Sequence, residues 1–188
     1  MRVQLRIVAG SLRGRKVNCE QHEGLRPTPQ MVREALFSIL GNAVPGRPFF
    51  DVFAGSGAIG IEAISRGGTE AVFIERDVRL ASGIEKHLRE FGIAEKATVV
   101  RTDVYRWAER WLAPEGPVNI FISPPFADYE RKPDSMQLLL SELERKAAPG
   151  SVIVLQGETS EGFDGLLKAH PWDIRHYGRN ILAIWVKE

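Results

Sequence analysis

The chain has 188 residues, 44% of them hydrophobic, and a net charge of +1, which is material for one substantial α/β domain with a buried core and room for a small appendage. No stretch approaches the roughly 18 uninterrupted apolar residues of a transmembrane helix, and the apolar run within the opening MRVQLRIVAG is too short and too interrupted for a signal peptide. The single cysteine, Cys19, rules out an intramolecular disulfide, so a cytoplasmic protein, expected as a monomer, is the starting point.

Near-neutrality conceals an asymmetry. Residues 1–16 carry Arg2, Arg6, Arg13, Arg15 and Lys16 and no acid, leaving 20 basic against 24 acidic residues on the remainder. A basic end on a mildly acidic body suits either a phosphate-contacting arm or a solvated turn. Within it, residues 3–9 have strand composition, 10–14 form a turn, and Arg15-Lys16-Val17 can return as a hairpin. Arg26-Pro27-Thr28-Pro29 follows, with Thr28 suited to capping a helix and Pro29 to its first position. Met31, Val32, Ala35, Leu36, Ile39 and Leu40 recur at helical spacing until Gly41 stops them. The cluster Gly41, Asn42, Pro45, Gly46, Pro48 marks the best boundary, dividing an extension, 1–41, from a main domain, 42–188.

From Phe49 onward strands and helices alternate. Strands are expected at 49–53, 71–75, 97–101, 118–122 and 151–155, and helices near 57–66, 79–91, 104–112 and 134–147. Such alternation implies βαβ units and a mostly parallel sheet covered on both faces. The end differs: residues 172–176 and 181–186 flank Tyr177-Gly178-Arg179-Asn180, which reads as a closing antiparallel hairpin.

The junction after the first of these strands is the richest stretch. Gly55, Gly57 and Gly60 satisfy G-x-G-x-x-G: the first permits a tight turn, the second close approach of backbone to a ligand, the third close packing of helix on strand. Glu75 ends the next strand, where a carboxylate can accept hydrogen bonds from both hydroxyls of a ribose. That much fits NAD as well as S-adenosylmethionine. Asp51, just before the loop, would sit poorly beside a pyrophosphate but well beside an ammonium. Asp103 closes the third strand and can accept from an adenine amino group, cap the helix that follows, or both. Ser123-Pro124-Pro125-Phe126 ends the fourth strand and aims a rigid loop at the crevice where parallel sheets bind ligands.

On these residues the chain resembles the class I, S-adenosylmethionine-dependent methyltransferases. The Pro-Pro-Phe loop is similar to that of the subset that methylates exocyclic amino groups of nucleobases. Arg6-Ile-Val-Ala-Gly-Ser-Leu-Arg-Gly-Arg15 and Arg26-Pro-Thr-Pro-Gln-Met-Val-Arg-Glu-Ala-Leu-Phe37 are more specific, and resemble the bacterial guanine-N2 methyltransferases of 16S ribosomal RNA. The likeness runs nearly end to end, through Tyr177-Gly178-Arg179. It implies a Rossmann-like seven-stranded sheet and a substrate in the small ribosomal subunit. It implies S-adenosylmethionine held by Asp51, Phe53, Ala54, Gly55, Ser56, Gly57, Glu75, Arg76, Asp103 and Val104, with Arg26 and Thr28 lying over it. It also implies that Arg6, Arg13, Arg15 and Lys16 meet RNA phosphates. Deleting 1–16 is then expected to abolish RNA binding and leave cofactor binding nearly intact.

One position departs from the family pattern. The loop usually opens with Asp or Asn; here it is Ser123. In that place a side-chain oxygen accepts from the target amine together with the Pro124 carbonyl, orienting a poorly nucleophilic lone pair. Phe126 stacks on the extruded base. The amine sheds its proton readily once methylated, so no strong base is needed.

Other residues carry less. His22, His87, His170 and His176 lack metal-ligand spacing, and no metal is expected. Trp107 and Trp111 read as core, and Lys86, Arg89 and Lys96 as solvated surface. Asp128 and Tyr129 are candidates to border the base pocket. Competing functions are methylation of DNA adenine or a protein glutamine, an NAD-dependent dehydrogenase, for which 188 residues leave little room, and an RNA-binding homologue weakened in catalysis.

Overall fold

The computed structural model describes residues 2–20, 26–168 and 171–188. Two short strands, β1 (Arg2–Arg6) and β2 (Lys16–Glu20), pair antiparallel as a separate hairpin. Helix α1 (Gln30–Leu40) leads through a 3₁₀ turn (Gly41–Ala43) into the main sheet. There β3 (Phe49–Val52), β4 (Ala71–Ile74), β5 (Ala97–Val100), β6 (Asn119–Ile122) and β7 (Val152–Glu158) run parallel, and β8 (Asp173–Tyr177) and β9 (Asn180–Val186) close the far edge antiparallel. The order across the seven strands is β5-β4-β3-β6-β7-β9-β8. The chain therefore winds outward from β3 in one direction, then returns to lay β6 on the other side. The split between β3 and β6 is the topological switch point, and a crevice opens beyond the carboxyl ends of those two strands.

The sequence explains the layers. Both β3 and β6 are buried at every position, as strands sandwiched between helices must be. Helices α4 (Val104–Arg110), α5 (Ala127–Arg131), α6 (Pro133–Lys146) and α7 (Glu161–Leu167) cover one face. Trp111 is buried in this layer and Trp107 packs against it, as expected of core residues. Helices α1 and α2 (Ala58–Ser65) cover the other face, where Val32, Leu36 and Phe37 meet Phe49, Phe121 and Leu182. Helix α3 (Val78–Glu90) starts at Asp77, whose carboxylate accepts from the Arg79 and Leu80 amides.

Three sequence expectations change. Thr28 does not cap α1: Pro29 stands at the cap position, no side chain caps the helix, and the Thr28 hydroxyl instead donates across the fold to Gln156 at 2.9 Å. Pro29 thus precedes the first helical residue rather than occupying it. Helices α5 and α7 had no reading in the sequence. The first spans five residues behind a proline pair, and the second, EGFDGLL, holds two glycines that depress helix propensity.

The N-terminal hairpin is no loose arm. Ile7, Leu12 and Val17 are buried with Ala58, Ile61, Phe73 and Ile84, each such side chain contributing about 1.5–3 kcal/mol. The amides of Val8 and Ala9 donate to the two carboxylate oxygens of Glu62 at 2.8 and 3.0 Å, and the Leu12 amide donates to Ser65 Oγ at 2.9 Å. Gly10, at φ +80°, lies so close that a Cβ would stand 1.7 Å from the Ser65 carbonyl oxygen. Farther along, His87 of α3 meets the Asn18 backbone at 3.0–3.1 Å. Deleting 1–16 would strip Ile7 and Leu12 from a shared core, so the arm's charge must be probed by substitution instead.

Candidate active site

A cavity of about 520 Å³ fills the crevice at the switch point. Of the residues that the sequence assigns to a cofactor, Arg26, Thr28, Asp51, Phe53, Ala54, Gly55, Ser56, Glu75, Arg76, Asp103 and Val104 line it, and so do all four of Ser123, Pro124, Pro125 and Phe126. Gly57 does not. It enters α2 at φ +75°, a left-handed backbone that favours glycine, and a Cβ there would stand 2.8 Å from the Ile84 side chain of α3. At Gly60 a Cβ would stand 2.3 Å from the Phe73 ring, the close helix–strand contact read from the sequence.

The two carboxylates nearest the glycine loop shape it from beneath. Asp51 is 1% exposed and its Oδ2 accepts from the Gly60 amide at 2.9 Å. Burial pushes its carboxyl up to about 7; the Gly60 bond opposes this and the charge of Glu75 adds to it. Glu75 Oε2 accepts from the Gly55 amide and Oε1 from the Asp77 amide, both at 2.8 Å. Burial raises its carboxyl too, against those amide bonds. Glu75 thus ties the glycine loop through Oε2 and the start of α3 through Oε1, and because each carboxylate oxygen has two acceptor sites both keep capacity toward the cavity. Between them Phe53 adopts φ +64°, a left-handed backbone costly for a bulky residue, and its ring meets Tyr105 edge-on at 5.8 Å.

Asp103 does cap α4, its Oδ1 accepting from the Tyr105 and Arg106 amides at 3.0 and 3.3 Å, and the residue also borders the cavity. Of the two candidates for the base pocket, Asp128 lines the cavity and accepts from Tyr105 Oη at 2.7 Å and Lys132 Nζ at 3.0 Å. Tyr129 is buried in the core, its hydroxyl donating to the Gln156 carbonyl, and it borders nothing open. The Arg26 guanidinium lies over the Phe126 ring at 5.9 Å, so an exposed cation and an aromatic face flank the cavity mouth together.

Arg6, Arg13, Arg15 and Lys16 are exposed and lie outside the cavity lining, while Leu5 of the same hairpin forms part of its wall. The Arg15 guanidinium sits 5.6 Å from the Phe91 ring. Among the described residues no group of three or more His, Cys, Asp or Glu side chains is placed to hold a metal; His22 and His170 lie outside those residues.

Sequence reasoning missed Arg33, Tyr105 and Gln156. Arg33 is buried, donates to the carbonyls of Thr28 and Arg6 at 3.0 and 2.9 Å, and lines the cavity. Burial lowers its pKa, with the charge of Glu62 opposing that. Its signal was an arginine on the apolar face of α1. Gln156 was equally visible as the amide that breaks the run Val152-Ile-Val-Leu155.

A family model described as conserved hypothetical protein 95 matches residues 5–186. Among curated relatives, the "Putative rRNA methyltransferase YlbH" of Bacillus subtilis is 31% identical over 150 residues, 79% of this chain and 80% of that one. The ribosomal RNA small subunit methyltransferase D of Escherichia coli K12 is 42% identical over 125 residues, 65% of this chain and 61% of that one. Among solved structures, the "Putative methyltransferase yhhF" of Escherichia coli superposes with a TM-score of 0.80 at 29% identity, covering 99% of both chains.

Proposed function

The chain belongs to the conserved hypothetical protein 95 family, and from that membership and the cavity we propose that it transfers a methyl group from S-adenosylmethionine to the exocyclic N2 amine of a guanine in small-subunit ribosomal RNA. The observation that carries the reading is convergence: Asp51, Glu75, Asp103 and the Ser123–Phe126 loop, from four different strand ends, border one cavity. Relatives named as ribosomal RNA methyltransferases supply the substrate class.

The residues fit the cofactor. A cavity of about 520 Å³ lies within the usual range of small-ligand sites. Asp51 offers a carboxylate to an ammonium, Glu75 to ribose hydroxyls and Asp103 to an adenine amine, with Phe53, Ala54, Gly55, Ser56, Arg76 and Val104 forming the walls. Thr28 and Arg26 cover the site. When bound, the cofactor supplies an electrophilic methyl group on a sulfonium. Ser123 Oγ and the Pro124 carbonyl hold the hydrogens of the target amine and aim its lone pair at that methyl, a gain from positioning and fixed dipoles. Methyl transfer there would exchange the cofactor's sulfur–carbon bond for a nitrogen–carbon bond, with the surplus amine proton released to water. Phe126 stacks on the extruded base, worth about 1–3 kcal/mol. Residues 1–41 act as an RNA-gripping and cofactor-covering extension of the 42–188 catalytic domain, with Arg6, Arg13, Arg15 and Lys16 on phosphates. The enzyme works as a monomer.

Ser123 replaces a carboxylate or carboxamide with a hydroxyl on a shorter stem, and the reading holds that it still serves. Undermethylated small subunits incubated with wild type, Ser123→Ala and Ser123→Asp, followed by mass spectrometry of digested nucleosides, test this. N2-methylguanine from wild type and a sharp loss in the Ala variant are expected. Absence of that nucleoside in the wild-type reaction overturns the proposal.

A further inference from the structure

Gln156 sits in β7 at 2% exposure, deep enough that each polar atom needs a partner. Its carboxamide oxygen accepts from two hydroxyls, Thr28 Oγ1 at 2.9 Å and Ser123 Oγ at 3.3 Å, while Nε2 donates to Asn180 Oδ1 at 3.0 Å. The backbone adds a fourth tie, since the Gln156 carbonyl accepts from Tyr129 Oη. One side chain thus joins the segment covering the cavity, the loop that opens on it, and the closing hairpin.

The chemistry of Ser123 makes the first of these ties consequential. A carboxylate is an acceptor only, whereas a hydroxyl carries one proton and two lone pairs and can present either. A serine that turned its proton toward the target amine would bind the very lone pair that must attack. With the proton donated to Gln156, both lone pairs of Ser123 are left for the cavity side, which Ser123 borders. Resting on the methyltransferase reading above, we infer that Gln156 is a positioning residue that fixes Ser123 as a hydrogen-bond acceptor for the target amine. Gln156 supplies from β7 what an aspartate at position 123 would have by itself.

The prediction is one of context. Gln156→Leu keeps the bulk and removes the acceptor; Gln156→Glu keeps acceptor oxygens and loses the donor to Asn180. Methyl-transfer rates on undermethylated small subunits would be measured for wild type, both variants, Ser123→Asp, and Ser123→Asp with Gln156→Leu, each alongside a thermal unfolding curve. Gln156→Leu should lower kcat about tenfold in the serine background, the worth of one oriented hydrogen bond, and have no further effect in the Ser123→Asp background, where no proton needs parking. Gln156→Glu should stay within about threefold of wild type. An active wild type whose rate survives Gln156→Leu overturns the inference, as does an equal loss in both backgrounds, which would mark Gln156 as structural only. A Gln156→Glu variant that unfolds at the wild-type temperature yet transfers poorly also overturns it, because an acceptor at that position would then not suffice. Absence of methyl transfer by both wild type and Ser123→Asp fails the methyltransferase reading itself, and the inference with it.

Discussion

Asp51 offers the sharpest test of the cofactor half of the site. The rise of its carboxyl from 3.8 to about 7 comes chiefly from burial, and corresponds to on the order of 4 kcal/mol held against its charge. An ammonium placed beside it repays that cost, so ligand binding should expel a proton. With a pKa of about 7, roughly a tenth of Asp51 is ionised at pH 6 and nine tenths at pH 8, so affinity should climb about tenfold across that span. Isothermal titration with S-adenosylhomocysteine, which carries the same amino acid group, measures it. Run at pH 6 in two buffers of different ionisation enthalpy, it should report release of nearly one proton. Asp51→Asn can keep an acceptor for the Gly60 amide, and should bind more weakly with a flattened pH profile. Stability must move oppositely. The folded state holds this proton up to about pH 7 while the unfolded chain releases it near 3.8, so wild-type stability without ligand should fall relative to Asp51→Asn as pH rises through that window. A flat wild-type affinity profile, or an Asn variant with the same slope, refutes the argument.

Further expectations concern the arm and its seat. Changing Arg13, Arg15 and Lys16 together to Ala should reduce the log–log salt slope of ribosomal RNA binding by about 2–3; an unchanged slope in filter binding would remove these cations from the interface. Gly60→Ala forces a Cβ to 2.3 Å from the Phe73 ring and should cost about 1–3 kcal/mol in denaturant unfolding, with a neutral result contradicting the packing. Glu62→Gln turns a donor toward the Val8 or Ala9 amide that Glu62 now accepts from. Hydrogen exchange at those two amides should accelerate well beyond that of β3, the loss being about 1–3 kcal/mol.

The parallel sheet and its helices were legible because strands buried on both faces are continuously apolar, and polar helical spacing separates them. Strand ends came out about a residue short at 53, 75 and 101. The glycine loop announced the cavity, and Asp103 announced its cap. What stayed hidden depends on partners distant in the chain. Thr28 reads as a cap locally, yet its hydroxyl satisfies an amide 128 residues away. Glu62 and Ser65 look like ordinary polar positions on a helix until the hairpin is laid across them. Phe53 at positive φ has no local signature, since nothing in Val-Phe-Ala asks for a left-handed residue. Gly57 was visible as a loop glycine, but its clearance from Ile84, 27 residues later, was not.

The seating of the hairpin also sets a timetable for synthesis. Asn18 contacts His87, 69 residues later, an interval of roughly 3–14 s at ~5–20 residues per second. A two-stranded ribbon alone is at best marginal in water, so Ile7, Leu12 and Val17 must wait beside exposed arginines while their partners are made. Helix α1 waits longer still, because its layer includes Leu182 and Ile184. The first helix to emerge is thus among the last to be fully buried, and a chain stalled before β9 would leave α1 without part of its packing surface.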